Sequence, residues 1–223
     1  MNKIKIIGTV HMDIETDVGK HNSNILYDII KNLNPNIIFE ETKPNIYVKA
    51  YIYNEKPFFI EHNTIKKYID KYKIKNIPID TLEEPSNFLE LHEKLEFDIK
   101  FRNCNNKELT ELMSLIDDYS NNNGIEGVNS EYFDDLINKR HQLYRYYISN
   151  YRKNLISCYN EYMDYNCEKR ENMMIENILK YIHLNIKDND LNAVVLIGAA
   201  HRINIKNKLQ DKTNIECDLL YLD

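Results

Sequence analysis

Short apolar runs alternate with amphipathic helical patterns along most of this chain. The runs at 4–8, 36–41 and 193–198 are rich in β-branched residues, which favours buried strands. Apolar residues at helical spacing predict helices at 23–33 and 60–72. Further patterns predict, in order, a strand at 74–80, a helix at 171–186, a short helix after His201 and a last strand near 217–223. Because strands that alternate with helices form βαβ units, the sequence predicts an α/β fold with a mainly parallel sheet and helices on both faces.

One long stretch interrupts this alternation. Residues 84–165 show helical spacing without a convincing strand, which predicts a helical insertion that caps the sheet within a single α/β domain, 1–223. Inside it, SNNNGIEGVN at 120–129 is typical of an exposed loop, where proteases would cut first. Tyrosines recur on one helical stripe within 143–165. That stripe predicts a packing face or a dimer seam, so a homo-oligomer stays open.

Composition excludes several classes of protein. The chain has 29 basic and 35 acidic residues, a formal charge of −6, which argues against nucleic-acid partners and against anionic membranes. No apolar run approaches the roughly 20 residues of a membrane helix, and the N-terminus lacks a signal-peptide pattern. The four cysteines form no C-x-x-C pair, as in proteins with reduced thiols. We therefore expect a soluble, cytoplasmic protein.

Two of the apolar runs end in the same pattern, Gly-x-x-His. The first covers Gly8 to His11 and the second covers Gly198 to His201. Other predicted strands end in carboxylates, namely Glu40, Glu41 and Asp80. Because ligands bind at the carboxyl ends of parallel strands, these side chains are expected to converge on one edge of the sheet.

Two imidazoles and a carboxylate are a ligand set for a divalent metal such as Mn, Zn, Co or Fe. We therefore predict His11, His201 and Glu40 as metal ligands, in a site that could activate water for hydrolysis. The alternative is that each histidine caps a helix or bonds a backbone carbonyl. No glycine-rich phosphate loop or dinucleotide motif occurs, so no nucleotide cofactor is expected.

The motifs IGTVHMD, IIFEE, RENMMIEN and LIGAAHR, taken together, resemble the TraB/TIKI superfamily, which includes erythromycin-esterase-like and ChaN-like proteins. They occur in the family's order and span nearly the whole chain. The resemblance implies an α/β fold with a helical insertion and, in some members, metal-dependent peptidase or esterase chemistry. It assigns family positions to these residues: Gly8, His11, Glu40 (or Glu41), Glu61, Asp80, Arg170, Glu171, Met174, Asn177, Gly198 and His201.

The helix that carries RENMMIEN supports a buried role for its arginine. Arg170 and Asn177 are seven residues apart, so they share a helical face with Met174. An arginine on an apolar stripe is costly unless a partner neutralises it. That partner is either a structural carboxylate or the functional site, where Arg170 would stabilise an anionic transition state.

The remaining histidines are expected to be ordinary surface or boundary residues. His21, His62, His141 and His183 fall on predicted helices or at their starts. HEKLE at 92–96 begins like a zinc-peptidase helix, but Glu96 stands where a second histidine is required, which favours a solvated helical face.

The sequence thus favours a metal-dependent hydrolase that cleaves an amide or ester in a small-molecule or peptide substrate. The predicted catalytic residues are Glu40, Glu41, Glu61, Asp80, Arg170 and Asn177, with Asp80 or Glu61 as a further ligand or general base. The alternative is a non-catalytic module that binds or senses a ligand in the same pocket.

Overall fold

The computed structural model describes residues 2–10, 22–53, 55, 59–81, 83–101, 106–185 and 191–222, and the side chains of 96–101 also lie outside the description. Within this part of the chain, five strands form one sheet: β1 (Lys3–Thr9), β2 (Ile37–Glu40), β3 (Lys75–Pro78), β4 (Asn192–Gly198) and β5 (Glu216–Leu219). Their order is β3-β2-β4-β1-β5, and every pairing is parallel. The predicted α/β fold with a parallel sheet is confirmed.

Helices account for most of the other described residues. They are α1 (Ser23–Leu33), α2 (Pro44–Tyr47), α3 (Ile60–Tyr72), α4 (Phe88–Phe101), α5 (Lys107–Val128), α6 (Glu131–Tyr151), α7 (Ile156–Met163), α8 (Arg170–Asn185) and α9 (Arg202–Lys212). The bounds of α1 and α3 match the predicted ranges. Local capping contributes at α1, where the Asn22 side chain accepts hydrogen bonds from the backbone N–H groups of Asn24 and Ile25.

The sheet is buried on both faces because its strands alternate apolar side chains between two helical layers. One face packs Phe39 and Val195 against α8 and α9. The other face packs Ile38 and Leu196 against α1 and α3. Consecutive residues at the end of β2 therefore point into different layers, which decides where Glu40 and Glu41 act.

The segment 84–165 contains α4 to α7, in agreement with its helical pattern. The predicted loop at 120–129 is wrong, because α5 continues to Val128 with a break at Gly124. Its sequence looked like a loop because it is rich in Asn and Gly, yet Ile125, Val128 and Asn129 are buried against the sheet and α6. Tertiary packing overrides the low helix propensity of these residues, and exposed-loop proteolysis is no longer expected here.

Gly124 has φ 65° and ψ −146°, a backbone conformation that only glycine adopts readily. Gly124→Ala is therefore expected to destabilise the fold by about 1–3 kcal/mol. Urea denaturation checks this, with the exposed neighbour Asn122→Ala as the matched control. Equal stability of the two variants would contradict the assigned kink.

The predicted tyrosine stripe lies on two helices instead of one. The chain leaves the helix after Tyr151 and passes through a short 3-10 turn before α7. Ile148, Leu155 and Tyr159 still pack in one apolar cluster, whereas Tyr151 is 65% exposed. The stripe is thus a packing face for most of its members.

Among the helices that the structure describes, none combines the length and the apolar composition that a membrane-spanning helix needs.

Candidate functional site

The two Gly-x-x-His motifs end neighbouring strands. β1 and β4 pair in parallel, with Thr9 opposite Gly198. A Cβ at Gly8 would lie 3.0 Å from the Cα of Ala199, so glycine allows β1 to approach the turn after β4 closely. The Gly8 backbone also exchanges hydrogen bonds with the side chain of Asn129, which fastens α5 to the sheet. His11 lies outside the described residues, so its role as a metal ligand stays a prediction.

Glu41, Asp80 and Arg170 form an ion-pair network at the carboxyl edge of the sheet. The Arg170 guanidinium donates to Asp80 Oδ2 at 2.9 and 3.2 Å and to Glu41 Oε1 at 2.7 Å. The other Glu41 oxygen accepts from the backbone N–H of Gly198 at 2.5 Å. Burial alone would lower the pKa of Arg170, but the two carboxylates outweigh it and raise that pKa above its usual value. The network ties the ends of β2, β3 and β4 to the start of α8.

Asn177 reinforces the same junction about two helical turns further along α8. Its side-chain amide donates to the backbone carbonyl of Ile79 and to the hydroxyl of Thr81, both at 2.8 Å. These bonds hold the residues on either side of Asp80. Asn177 and Arg170 therefore both join α8 to the end of β3, as their shared helical face suggested.

Glu40 lies in a different environment from Glu41. Its carboxylate accepts hydrogen bonds from Tyr51 at 2.8 Å and from Asn76 at 2.7 Å, and His62 Nε2 lies 3.4 Å from it. This cluster is on the layer of α1 and α3, because side chains alternate along β2. Burial and the Glu40 charge raise the pKa of Tyr51 well above its usual value.

Glu61 belongs to the Glu40 side of the molecule as well. It lies buried in the first turn of α3, next to His62, and its charge contributes to the raised pKa of Tyr51. The prediction that His62 is an ordinary boundary residue is wrong, since it is 3% exposed and contacts Thr42 and Glu40. The sequence pattern did not indicate this role, because Glu40 ends β2 and meets His62 only in the folded chain.

His201 lies on the opposite layer, against α8. Its Nδ1 is 2.8 Å from Glu171 Oε1, and Glu171 is fully buried. Lys208 donates to the second oxygen of Glu171 at 3.0 Å. Because a carboxylate only accepts hydrogen bonds, this contact places a proton on Nδ1, and in the neutral ring the lone pair is then on Nε2. The structure thus brings His201 together with Glu171 rather than with Glu40.

A cavity of about 310 Å³ lies between His201 and the helical insertion. Its walls include His92, Leu95, Met113, Tyr159, Cys167 and Ala200. Burial, with the nearby charge of Glu171, raises the pKa of the Cys167 thiol to about 11, so this sulfur is a neutral thiol and not a nucleophile. The cavity combines apolar walls with a few polar groups, as small-molecule sites do.

Two residues of α6, Arg140 and His141, also line this cavity. Arg140 Nη2 lies 3.2 Å from His141 Nε2, so His141 accepts there and carries its proton on Nδ1. His141 has the intermediate exposure of the predicted surface or boundary residue, but its place in a cavity wall was not predicted. Its sequence neighbourhood showed only helical spacing, and the polarity of adjacent Arg140 and His141 was the one available signal.

His141 should make folding stability depend on pH. Burial, followed by the charges of Arg140 and His201, lowers its pKa from 6.5 to about 4. Between these two values the unfolded chain binds more protons than the folded one, so stability is present above pH 6.5 and is lost as the pH falls towards 4. Melting temperatures across this window should fall more steeply in the wild type than in His141→Gln. Parallel curves would contradict the assigned burial.

Among the described residues, which do not include His11, no group of three His, Cys, Asp or Glu side chains could hold a metal ion. The donors are dispersed for physical reasons. Glu40 accepts from neutral donors on one layer, Glu41 and Asp80 neutralise Arg170, and His201 binds Glu171 on the other layer. A metal at this edge of the sheet stays a prediction that depends on His11, which the structure does not describe.

Neither a protein-family model nor a curated protein matches the sequence. Among solved structures, an erythromycin esterase mutant in its open conformation aligns with a TM-score of 0.37 and 12% sequence identity. The alignment covers 88% of this chain and 60% of that one, so the chain spans about 60% of the esterase's length.

Proposed function

We propose that the chain is a hydrolase that cleaves an ester or an amide, with His201 as the general base. The observation that carries the proposal is the His201–Glu171 pair at the cavity, in which a buried carboxylate holds Nδ1–H at 2.8 Å. A carboxylate in this position orients the ring and stabilises the imidazolium that forms when Nε2 takes a proton.

The reaction would proceed by direct attack of water. His201 Nε2 takes a proton from water while the water oxygen bonds to the carbonyl carbon. The bond to the leaving group then breaks, and the imidazolium returns the proton to that group. His141 Nδ1–H, from the insertion, is the proposed donor to the negative carbonyl oxygen of the intermediate.

In this proposal Glu41, Asp80, Arg170 and Asn177 are positioning residues. Arg170 directly precedes Glu171, so anchoring Arg170 to the ends of β2 and β3 sets where Glu171 meets His201. Glu40 and Glu61 would act on the other layer, as parts of a buried polar cluster. In this proposal, the motifs that resemble TraB/TIKI proteins contain both the His201–Glu171 pair and the residues that position it.

A divalent metal remains part of a second version of this proposal. The Nδ1–carboxylate contact is also how metal-ligating histidines are oriented, so His201 Nε2 and His11 would be the ligands. A bound metal would lower the pKa of a water molecule. The general-base steps do not depend on it.

The class of substrate, a small molecule or a peptide, stays a prediction. So does the cytoplasmic location, with which the free thiols of Cys158, Cys167 and Cys217 are consistent.

The experiment is a hydrolysis screen of the purified chain against chromogenic esters and amides, with and without a chelator. Turnover that survives the chelator supports the general-base version. Turnover that needs Mn²⁺ or Zn²⁺, with a metal-dependent rise in melting temperature lost in both His11→Ala and His201→Ala, supports the metal version. Ligand binding without turnover of any substrate would instead identify a binding or sensing module.

A further inference from the structure

Arg140 is a partly buried cation at the cavity, and no carboxylate among the described residues forms an ion pair with it. Its hydrogen bond goes to His141, an imidazole that is neutral near pH 7. Asp117 acts on it only over a longer distance. Burial lowers the pKa of Arg140 below its usual value and outweighs the negative groups that would raise it, Asp117 among them.

Two other arginines near the sheet edge have their positive charges paired with carboxylates. Arg170 contacts both Glu41 and Asp80. Arg202 forms a two-pronged pair with Asp134, at 2.7 Å for each bond. A charge that is removed from water is costly unless an opposite charge pairs with it. An anionic ligand in the cavity would provide Arg140 with the paired negative charge that the described residues do not provide.

The cavity itself is suited to an anion with an apolar body. Among the described residues that line it, none is an aspartate or a glutamate, although the whole chain carries a charge of −6. Leu95, Leu109 and Met113 form one wall, and Tyr159 with Tyr162 forms another. The described lining contains no lysine, and Arg140 supplies its one guanidinium.

We propose that the cavity binds an organic carboxylate with an aliphatic or aromatic body, and that Arg140 holds its carboxylate group. The inference rests on the proposed function and specifies its substrate class: an ester or amide that also bears a carboxylate. One guanidinium beside a neutral imidazole balances one negative charge, which favours a carboxylate over a doubly charged phosphate monoester. The planar guanidinium also matches a carboxylate in two-pronged geometry.

Isothermal titration calorimetry tests this with matched probes at pH 7. Phenylbutyrate and octanoate are compared with phenylbutyramide, which lacks the charge, and with phenylbutyl phosphate, which doubles it. We expect the carboxylates to bind the wild type about tenfold to a hundredfold more tightly than the amide, as for hydrogen bonds between charged groups. Arg140→Gln should remove this preference and Arg140→Lys should keep part of it.

The matched control is Arg145→Gln, an exposed arginine on the same helix, which should bind every probe like the wild type. The melting temperature of Arg140→Gln should be equal to or above that of the wild type, because an uncompensated charge is removed from a partly buried position. A fold that melts lower would indicate a structural role for Arg140 and overturn the proposal. So would equal affinity for acid and amide, tighter binding of the phosphate, or failure of both carboxylates to bind.

This result is separable from that of the proposed function. Loss of turnover with retained carboxylate binding in His201→Ala supports both. Hydrolysis of neutral esters without any carboxylate preference would remove the Arg140 assignment and leave the hydrolase standing. Carboxylate binding by a chain that turns over no ester or amide would do the reverse.

Discussion

Replacing His201 with alanine is expected to lower kcat/KM for ester or amide hydrolysis by about a hundredfold to ten-thousandfold, the range that general bases contribute. The apo melting temperature should change little, because Glu171 keeps its hydrogen bonds from Lys208 and Asn204. Substrate KM should also change little if His201 acts on the attacking water. Steady-state kinetics and thermal unfolding of the same preparation measure both effects.

Glu171→Gln tests the pair more sharply than removal of the imidazole. The amide preserves the shape of the side chain but can present either a donor or an acceptor to Nδ1, so the proton is no longer held there. Activity should fall by at least about tenfold, through loss of orientation and of imidazolium stabilisation. His183→Ala, an exposed histidine on the same helix, is the control and should retain full activity. Full activity of Glu171→Gln would sink the assignment of the pair.

Arg202→Met is expected to destabilise the fold more than Gly124→Ala or His201→Ala. Arg202 is fully buried and donates to Asp134, to Asn129 Oδ1 at 2.7 Å and to the carbonyl of Leu220 at 3.2 Å. Breaking the pair leaves the buried Asp134 charge uncompensated, which costs about 3–5 kcal/mol. In a chain of this size that lowers the melting temperature by about 6–20 °C.

A double variant separates the cost of an orphaned charge from a loss of shape. Arg202→Met with Asp134→Leu removes both charges and should recover much of the stability lost in the single variant. Denaturant unfolding of the single variants and of the pair measures the coupling, with Arg145→Gln as the exposed control. Additive losses in the double variant would mean that Arg202 and Asp134 do not form an ion pair in solution.

Local sequence patterns were sufficient to predict most of the individual helices and strands. The helices at 23–33 and 60–72 follow from apolar spacing, and in the structure each ends at a residue with left-handed backbone angles, Asn34 and Lys73. The chain failed to follow its local pattern at 120–129, where burial of Ile125 and Asn129 stabilises helix in a segment of poor helix formers. Such burial depends on residues more than a hundred positions away, such as Gly8.

The candidate site, too, could be predicted from the sequence only in part. The doubled motif correctly indicated that Gly8 and Gly198 end strands at one edge, and Arg170 was rightly expected to need a partner. Glu171 was part of the motif helix, yet no pattern in the sequence connected it with His201. His141 was expected to be a surface or boundary residue, and only the folded chain places it beside Arg140 in the wall of the cavity.

The sequence therefore predicted the alternation of strands and helices and the residue types that end each strand. Both depend on residues that are close together in the sequence. Which carboxylate meets which cation was decided by strand order and by the docking of α8 and α6. Glu40 and Glu41 differ by one position, but the pleat sends one to Tyr51 and the other to Arg170. A one-residue difference of face, set by long-range packing, separates the layer of Glu40 from the layer that carries His201 and its cavity.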